Sequence, residues 1–267
     1  MQWRPGVLEV TAIDVGQGDS LLIITPQGKT LLLDSGGVGG GSHTDFDVGE
    51  EVVSPYLWSR GIRRLDAVAI SHPHSDHVGG MRSVIANFRP KELWYGLDSP
   101  TPEFGQVADA AKSFGLAFRP HSAGDAYDFG GVQIRVLNPA PGAAASNPAQ
   151  DDESLVLRVQ YGNTSALLVG DSHKRTEGLL EEENPHADLL KIGHHGSLTS
   201  STQDFLQSVG PQFAVVSAGY YNSFRHPRPE VMHRYADMHV RTYRTDLAGA
   251  VSFYLDGTKV SAQPVLR

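Results

Sequence analysis

The chain contains no cysteine. No disulfide framework is open to it, and no zinc site of thiolates can form, so any metal must be held by His, Asp or Glu. This absence fits either a reducing or an oxidising compartment and decides neither. No run of 18 apolar residues occurs, so no segment reads as a membrane-spanning helix. Met1 to Gly6 leads straight into a strand-like segment and does not read as a signal peptide. Positive charge is short: 22 Lys and Arg against 30 Asp and Glu give a formal net charge of −8. Proteins that grip duplex DNA regardless of sequence usually carry a basic face, so this balance counts against strong affinity of that kind. It does not exclude a nuclease, because bound divalent cations offset acidic charge at the site itself. Short-period repeats are also missing.

What is present is an ordinary globular composition. Of 267 residues, 40% are hydrophobic and 19% charged, enough for a sizeable core in one or two domains. Val7 to Ile13, Ser20 to Thr25 and Thr30 to Asp34 are expected strands, separated by turns at Gly16-Gln17-Gly18-Asp19 and Pro26-Gln27-Gly28. A flexible loop, Gly36 to Ser42, follows. A helix is expected from Glu50 to Arg60, interrupted at Pro55. Strand Asp66 to Ile70, helix Gly79 to Phe88, strand Glu92 to Tyr95 and helix Glu103 to Phe114 come next. Beyond them lie strands at Gln133 to Leu137, Ser154 to Tyr161 and Ser165 to Val169. Helices Lys174 to Glu183, Thr202 to Val209 and Pro229 to Met238 then alternate with strands Asp188 to Ile192 and Phe213 to Ser217, and two strands finish the chain. Consecutive strands followed by alternating helix and strand occur twice, from about Val7 and from about Val132. This predicts a single α/β domain of two similar halves, roughly 1–131 and 132–267, with their sheets packed together and helices outside. Pro139 to Pro148 is read as a loop and not a linker, because neither half alone carries a complete site.

The chemistry-bearing feature is His72-Pro73-His74-Ser75-Asp76-His77, which follows the apolar strand Ala67-Val68-Ala69-Ile70. Imidazole and carboxylate suit zinc, manganese or iron(II). His72 and His74 can converge on one metal, and Asp76 and His77 can reach a second. A polar loop that is histidine-rich by accident is the plainer alternative. Against it stand three more strand ends: Leu33-Asp34-Ser35-Gly36, Leu168-Val169-Gly170-Asp171 and Ile192-Gly193-His194-His195-Gly196. One acidic residue beside glycine is often only a turn former. Three such ends point to loops meeting at one edge of the sheets.

These residues resemble the metallo-β-lactamase superfamily, whose signature is the histidine cluster. The resemblance implies a four-layer αββα sandwich. It matches Asp34 to the family's first motif, Asp171 to the aspartate that bridges two metals, and His194 or His195 to its late histidine ligand. The segments DVGQGDS from Asp14, SHPHSDHVGG, SLVLRV, LLVGDS, LKIGHHGS and FRHP further resemble, in order, a domain of the ComEC competence proteins, over about Leu8 to Phe253. That family implies a domain at the end of an inner-membrane DNA channel, on the outer face of the membrane, that degrades the strand not imported; a free-standing relative would be cytoplasmic. It implies DNA as partner, single-stranded by preference, and two divalent ions, Zn2+ or Mn2+. Many superfamily members supply one more histidine before the bridging aspartate. Here the candidates are His121, Asp151 and Asp152, with Asp152 taken as the ligand, and an oxygen-rich site of this kind favours manganese.

The expected reaction is two-metal phosphodiester hydrolysis. Asp76, with Asp34 behind it, orients ligands and nucleophile, and His226 protonates the leaving oxygen or binds phosphate. Arg225 and Arg228 beside His226, with Lys191, form a small basic rim. Asn222, Tyr220, Tyr221 and Ser197 are candidates for contacting substrate. Asp14 and Asp19 are read as turn and packing residues, and Glu181 to Glu183 as a solvated helix end. His43, His121, His173, His186, His233 and His239 show no ligand spacing and are read mostly as solvated. The rival readings are a small-substrate metallo-hydrolase, such as a phosphorylcholine esterase or lactonase, and a metal-stabilised DNA-binding domain without turnover.

Overall fold

The computed structural model describes residues 3–38, 46–146 and 150–265. The glycine loop beyond Val38, His43 and Pro148 lie outside the described residues. The chain begins with strands β1 (Leu8–Ala12), β2 (Leu21–Ile24) and β3 (Thr30–Leu33). A π-turn at Gly49–Val53 runs into helix α1 (Ser54–Ser59). Pro55 does not break the helical run; the irregularity expected there is a change from π to α winding between Val53 and Ser54. Strand β4 (Ala67–Ile70) leads to a one-turn helix α2 (Ser75–Val78) and then α3 (Met81–Phe88), where one helix was expected. Strand β5 (Glu92–Tyr95), helix α4 (Pro102–Ser113), and strands β6 (Ala117–Pro120), β7 (Ala126–Phe129) and β8 (Val132–Asn138) follow. After a short turn at Asp151–Glu153 come β9 (Val156–Tyr161), β10 (Thr164–Leu168), α5 (Lys174–Glu182), β11 (Leu189–Lys191), α6 (Gln203–Val209) and β12 (Phe213–Val216). Helix α7 (Pro229–Asp237), β13 (Arg241–Arg244), α8 (Thr245–Ala248), β14 (Val251–Leu255) and β15 (Val260–Pro264) complete it.

The strands form two sheets, in the orders β15-β14-β1-β2-β3-β4-β5-β6 and β13-β12-β11-β10-β9-β8-β7. In the middle of each sheet both faces are covered, which is why those strands read as unbroken apolar runs. Period-two alternation divides each strand between two cores. On β2 and β3, Leu21, Ile23, Leu31 and Leu33 join the core between the sheets, with Leu168, Leu189, Val215 and Phe253. Leu22, Ile24 and Leu32 face α1, α3 and α4 instead, against Leu57, Ile85 and Phe104. On the other sheet Leu167, Leu190 and Val216 face α5, α6 and α7, against Leu180, Phe205 and Tyr235. The result is the four-layer αββα sandwich.

The two sheets do not follow the expected division at residue 131. β7 precedes it yet pairs with β8 in the second sheet. β14 returns to pair with β1, antiparallel, and carries β15 to the edge of the first sheet. The return covers an edge of β1 that would otherwise present unpaired backbone. β6 and β7 escaped the sequence reading because both are four-residue, largely exposed strands with little apolar signal. Among the described residues no helix is long and apolar enough to cross a membrane.

Candidate metal centre

β3 and β4 run parallel, as do β10, β11 and β12. Their carboxyl ends therefore open on one side, where α/β sheets place their sites. Three site residues have a positive φ without being glycine: Asp34 (61°), His194 (43°) and His195 (52°). Each such backbone costs about 1–3 kcal/mol, and surrounding structure must hold it.

Hydrogen bonding sets the ring tautomers. The Asp34 carboxylate accepts from Ser71 N (2.8 Å) and Ser71 Oγ (2.6 Å). A third bond comes from His77 Nδ1 (2.9 Å), which must carry the proton because a carboxylate only accepts. His77 Nε2, 3.3 Å from Asp171 Oδ2, is the nitrogen whose lone pair faces the cluster once the ring is neutral. Without metal, burial opposes a charge on this ring, but Asp171 and Asp34 outweigh it and raise its pKa well above the ordinary value. His195 behaves alike: Nδ1 donates to the Ser217 carbonyl (3.0 Å), and Nε2 lies 3.2 Å from Asp171 Oδ2 and 3.4 Å from Asp76 Oδ2. His77 Nε2, His195 Nε2 and Asp171 Oδ1 are buried with no hydrogen-bond partner. Such atoms need something to satisfy them, and a divalent cation fits a cluster of carboxylates and neutral imidazoles. Asp76, His77, Asp171 and His195 bring ligand atoms within 4.8 Å of one another, and His72, His74 and Asp151 form a neighbouring set by the same measure. Here His72 Nε2 and His74 Nδ1 are 3.0 Å apart, and Asp151 Oδ1 is 3.1 Å from His74 Nδ1.

Without metal, charge puts protons where the ions would sit. Burial, reinforced by His77, holds the His72 pKa well below its ordinary value, so its nitrogen is free to ligate. Burial opposes a charge on His195, but Asp171, Asp19 and Asp76 override it and push its pKa up to about 10. Burial likewise opposes ionisation of Asp171, and His195 and His77 reverse the effect and hold it well below the carboxylate range. Protons and metal ions compete for such a cluster, so metal binding releases protons.

Several sequence expectations come out differently. Asp152, taken as the ligand, turns away: its Oδ1 accepts from His173 N and Thr176 N at the start of α5. Its neighbour Asp151 stands among His72, His74, His173 and His194 instead. His173, read as solvated, has Nε2 2.6 Å from His194 Nδ1 and 2.9 Å from Asp151 Oδ2. His194 and His195 both reach the site but on different sides, His195 with Asp76 and Asp171, His194 with Asp151 and His173. Asp19, read as a turn residue, is buried beneath the centre, its Oδ1 3.5 Å from His195 Nδ1. Lys191, expected on a basic rim, is fully buried and pairs with Asp19 Oδ2 at 2.5 Å. A strand residue buried on both sheet faces cannot reach solvent, and only the acidic cluster makes its charge tolerable. Ser197 closes the turn behind His194, where its Oγ accepts from Thr199 N (3.3 Å) and Thr199 Oγ1 (3.0 Å). Asn222 uses its side chain to staple a loop: Nδ2 donates to Gly219 O and His226 O, and Oδ1 accepts from His226 N. His121 stacks on Tyr127 and belongs to none of the ligand sets.

That staple presents His226, whose ring centroid lies 5.8 Å from that of His194. Burial, with His194 and His195 nearby, brings its pKa down to about 4. At neutral pH the ring is uncharged and offers an N–H to a phosphate oxygen; the acid role expected from sequence needs a pKa closer to neutrality.

A family model described as the metallo-beta-lactamase superfamily matches residues 13–220. The chain is 34% identical over 258 residues to ComE operon protein 3 of Bacillus subtilis (strain 168), and 34% identical over 259 residues to Competence protein ComA of Neisseria gonorrhoeae. These alignments take in 92% and 95% of this chain but 33% of each relative, so the chain spans about a third of the length of the curated relatives it matches. Among solved structures, CmlA, a diiron beta-hydroxylase from Streptomyces venezuelae, superposes with a TM-score of 0.60 at 14% identity, over 92% of this chain and 54% of that one. At that identity the likeness is one of fold. The family match runs from the end of β1 past β12 and so takes in every loop that delivers a ligand; the chain belongs to the metallo-β-lactamase superfamily.

Proposed function

We propose that the chain is a metal-dependent phosphodiesterase that cleaves DNA, the nuclease part of a DNA-uptake protein that degrades the strand not imported. The carrying observation is the pair of ligand sets, His72, His74 and Asp151 beside Asp76, His77 and His195, with the buried Asp171 carboxylate against the second set and 3.9 Å from His194. Folds of this superfamily are generally those of metal-dependent hydrolases. Two divalent ions, zinc or manganese, would supply Lewis-acid polarisation of phosphate and a water acidic enough to attack at neutral pH. The residues do the rest. Asp34 keeps His77 in the ligating tautomer, and Ser217 O does so for His195. Asp76, between the ligand set and an open cleft, orients the nucleophile. His226 donates to a phosphate oxygen, and Arg225 and Arg228 on the same loop bind the neighbouring charge. Carboxylate in place of a third histidine suits manganese.

Support for DNA comes from the competence proteins among the relatives. By the same likeness we place the chain in a larger inner-membrane channel protein, on the outer membrane face, with single-stranded DNA as partner. A small-substrate metallo-hydrolase is the second reading, favoured by a cleft of about 640 Å3 beside Asp76, a size typical of small-molecule sites. A nuclease assay titrated with manganese and zinc separates them. Single-stranded DNA should be degraded only with metal, and Asp171→Ala should abolish this in a folded protein. Hydrolysis of bis(p-nitrophenyl) phosphate with DNA left intact would transfer the assignment to the small-substrate enzyme.

A further inference from the structure

Two clefts of opposite character flank the loop that Asn222 staples, and Asn222 lines both. The first, about 640 Å3, opens beside His74 and Asp76 and is walled by Phe46, Phe224, Val15 and Val48. Among the described residues its charged lining residues are Asp76 and Glu103, and no Lys or Arg lines it. The second, about 730 Å3, lies on the His226 side. Arg225, Arg228 and Arg244 line it against Glu230 and Asp246. Arg244 is taken up by Asp246 in a two-point pair at 2.7 and 3.0 Å, which leaves Arg225 and Arg228 facing Glu230. Arg228 Nε is buried without a hydrogen-bond partner. Tyr220 and Tyr221 stand over this cleft, 62% and 89% exposed. Tyr221 and Arg225 hold positive φ values of 51° and 58°, a strain that neither residue type relieves and that persists because the loop is bonded through Asn222.

A single strand threading past the metal ligands would put phosphates in both clefts. Phosphates are stabilised near the unpaired arginines and repelled by Glu103 in a cleft with apolar walls. Exposed tyrosines give bases a stacking platform on the arginine side. We infer that this centre works on chain ends: the terminal nucleoside enters the cleft of Phe46, Phe224 and Glu103, and the remaining polymer lies along Tyr220, Tyr221, Arg225 and Arg228. The protein is then an exonuclease that releases mononucleotides. Water adds to the phosphorus between the clefts, the P–O bond to the polymer's oxygen breaks, that oxygen takes up a proton, and the terminal nucleoside leaves with the phosphate. This rests on the phosphodiesterase reading above.

The test compares a linear single-stranded DNA with a covalently closed circle of the same sequence, both with manganese-loaded protein and with bis(p-nitrophenyl) phosphate as control. The linear strand should disappear into mononucleotides, and the circle should persist at least about tenfold longer. A circle cut as fast as the linear strand overturns the chain-end assignment and leaves the nuclease reading standing. Ester hydrolysis with both DNAs intact overturns the nuclease reading and this inference with it. Glu103→Lys, on the rim of the first cleft, should raise the rate of cutting of the circle relative to that of the linear strand; an unchanged ratio would show that charge does not close that cleft. Binding supplies an independent readout in metal-free protein. Arg225→Ala should weaken a labelled oligothymidylate several-fold, Glu103→Ala should not, and equal effects would remove the distinction between the clefts.

Discussion

Asp151 and Asp152 are adjacent and chemically identical, yet they have different neighbours. Asp151 lies among four imidazoles, whereas Asp152 accepts two backbone N–H groups at the start of α5. Asp152→Ala should therefore cost about 1 kcal/mol of stability, the usual loss for a helix-start acceptor, with metal content unchanged. Asp151→Ala should instead lower bound metal by about one ion per chain. Thermal unfolding and elemental analysis of both variants check this, and the reverse pattern would return Asp152 to the ligand set. A second residue-scale expectation concerns protons. The ordinary histidine value is about 6.5, and that of His226 is brought down to about 4. Above pH 6.5 the folded and unfolded rings are both neutral and contribute nothing. As pH falls from 6.5 towards 4, the unfolded ring takes a proton that the folded one refuses, so stability declines across that window. His72 acts in the same direction. Ring-proton NMR of metal-free protein should give a His226 midpoint well below 6.5, and His226→Asn should flatten the decline in Tm; a midpoint at 6.5 would contradict the burial described.

Elements position these residues through backbone crossings that only glycine permits. The loop after β1 passes so close to α2 that a Cβ on Gly18 would lie 2.1 Å from Asp76 O, and the φ of Gly18 is 134°. Asp19 N donates to the same carbonyl at 3.2 Å. The Gly-Gln-Gly-Asp segment, legible in sequence only as a turn, thus holds the backbone of a ligand-bearing helix and places Asp19 under His195. Gly18→Ala should leave the two-sheet core folded but shift Asp76, with a loss of activity of roughly 100-fold, the cost of about 1 Å of misplacement at a reacting centre. Activity within twofold of the parent would mean that the crossing does not set the site. The central strands were readable because burial on both faces makes them unbroken apolar runs. The cluster was readable because six consecutive residues carry four potential ligands. β6 and β7 were not, since an exposed edge strand has no such signature.

For the whole molecule, the ligand sets draw on loops from both sheets, so bound metal ties the halves of the sandwich together. Leu155 N donating to Ser71 O at 2.7 Å is one of the protein's own ties there. Metal that binds only the folded state stabilises it by about 2.7 kcal/mol per site at a hundredfold excess over Kd. For a chain of this size, each kcal/mol moves Tm by about 2–4 °C. Chelation should therefore lower Tm by roughly 5–20 °C, reversibly, with two ions per chain on reloading. An unchanged Tm and no bound metal under zinc or manganese would remove the centre altogether.

By itself the sequence determined the strand-rich α/β architecture, the ligand-bearing cluster, the strand ends at Asp34, Asp171 and His194-His195, and the family. All of these are local: apolar period, glycine beside a strand end, and ligand types at short spacing are written along the chain. Tertiary structure decided what depends on direction and on distant neighbours. It chose Asp151 over Asp152, brought His173 beside His194, buried Lys191 against Asp19, and carried β14 back to β1. Residues 19 and 191 are far apart in the chain, and no local pattern records that they meet. Which of two neighbouring carboxylates faces a metal depends on how one short turn is rotated, and that rotation is set by the start of α5 and the sheet beneath it.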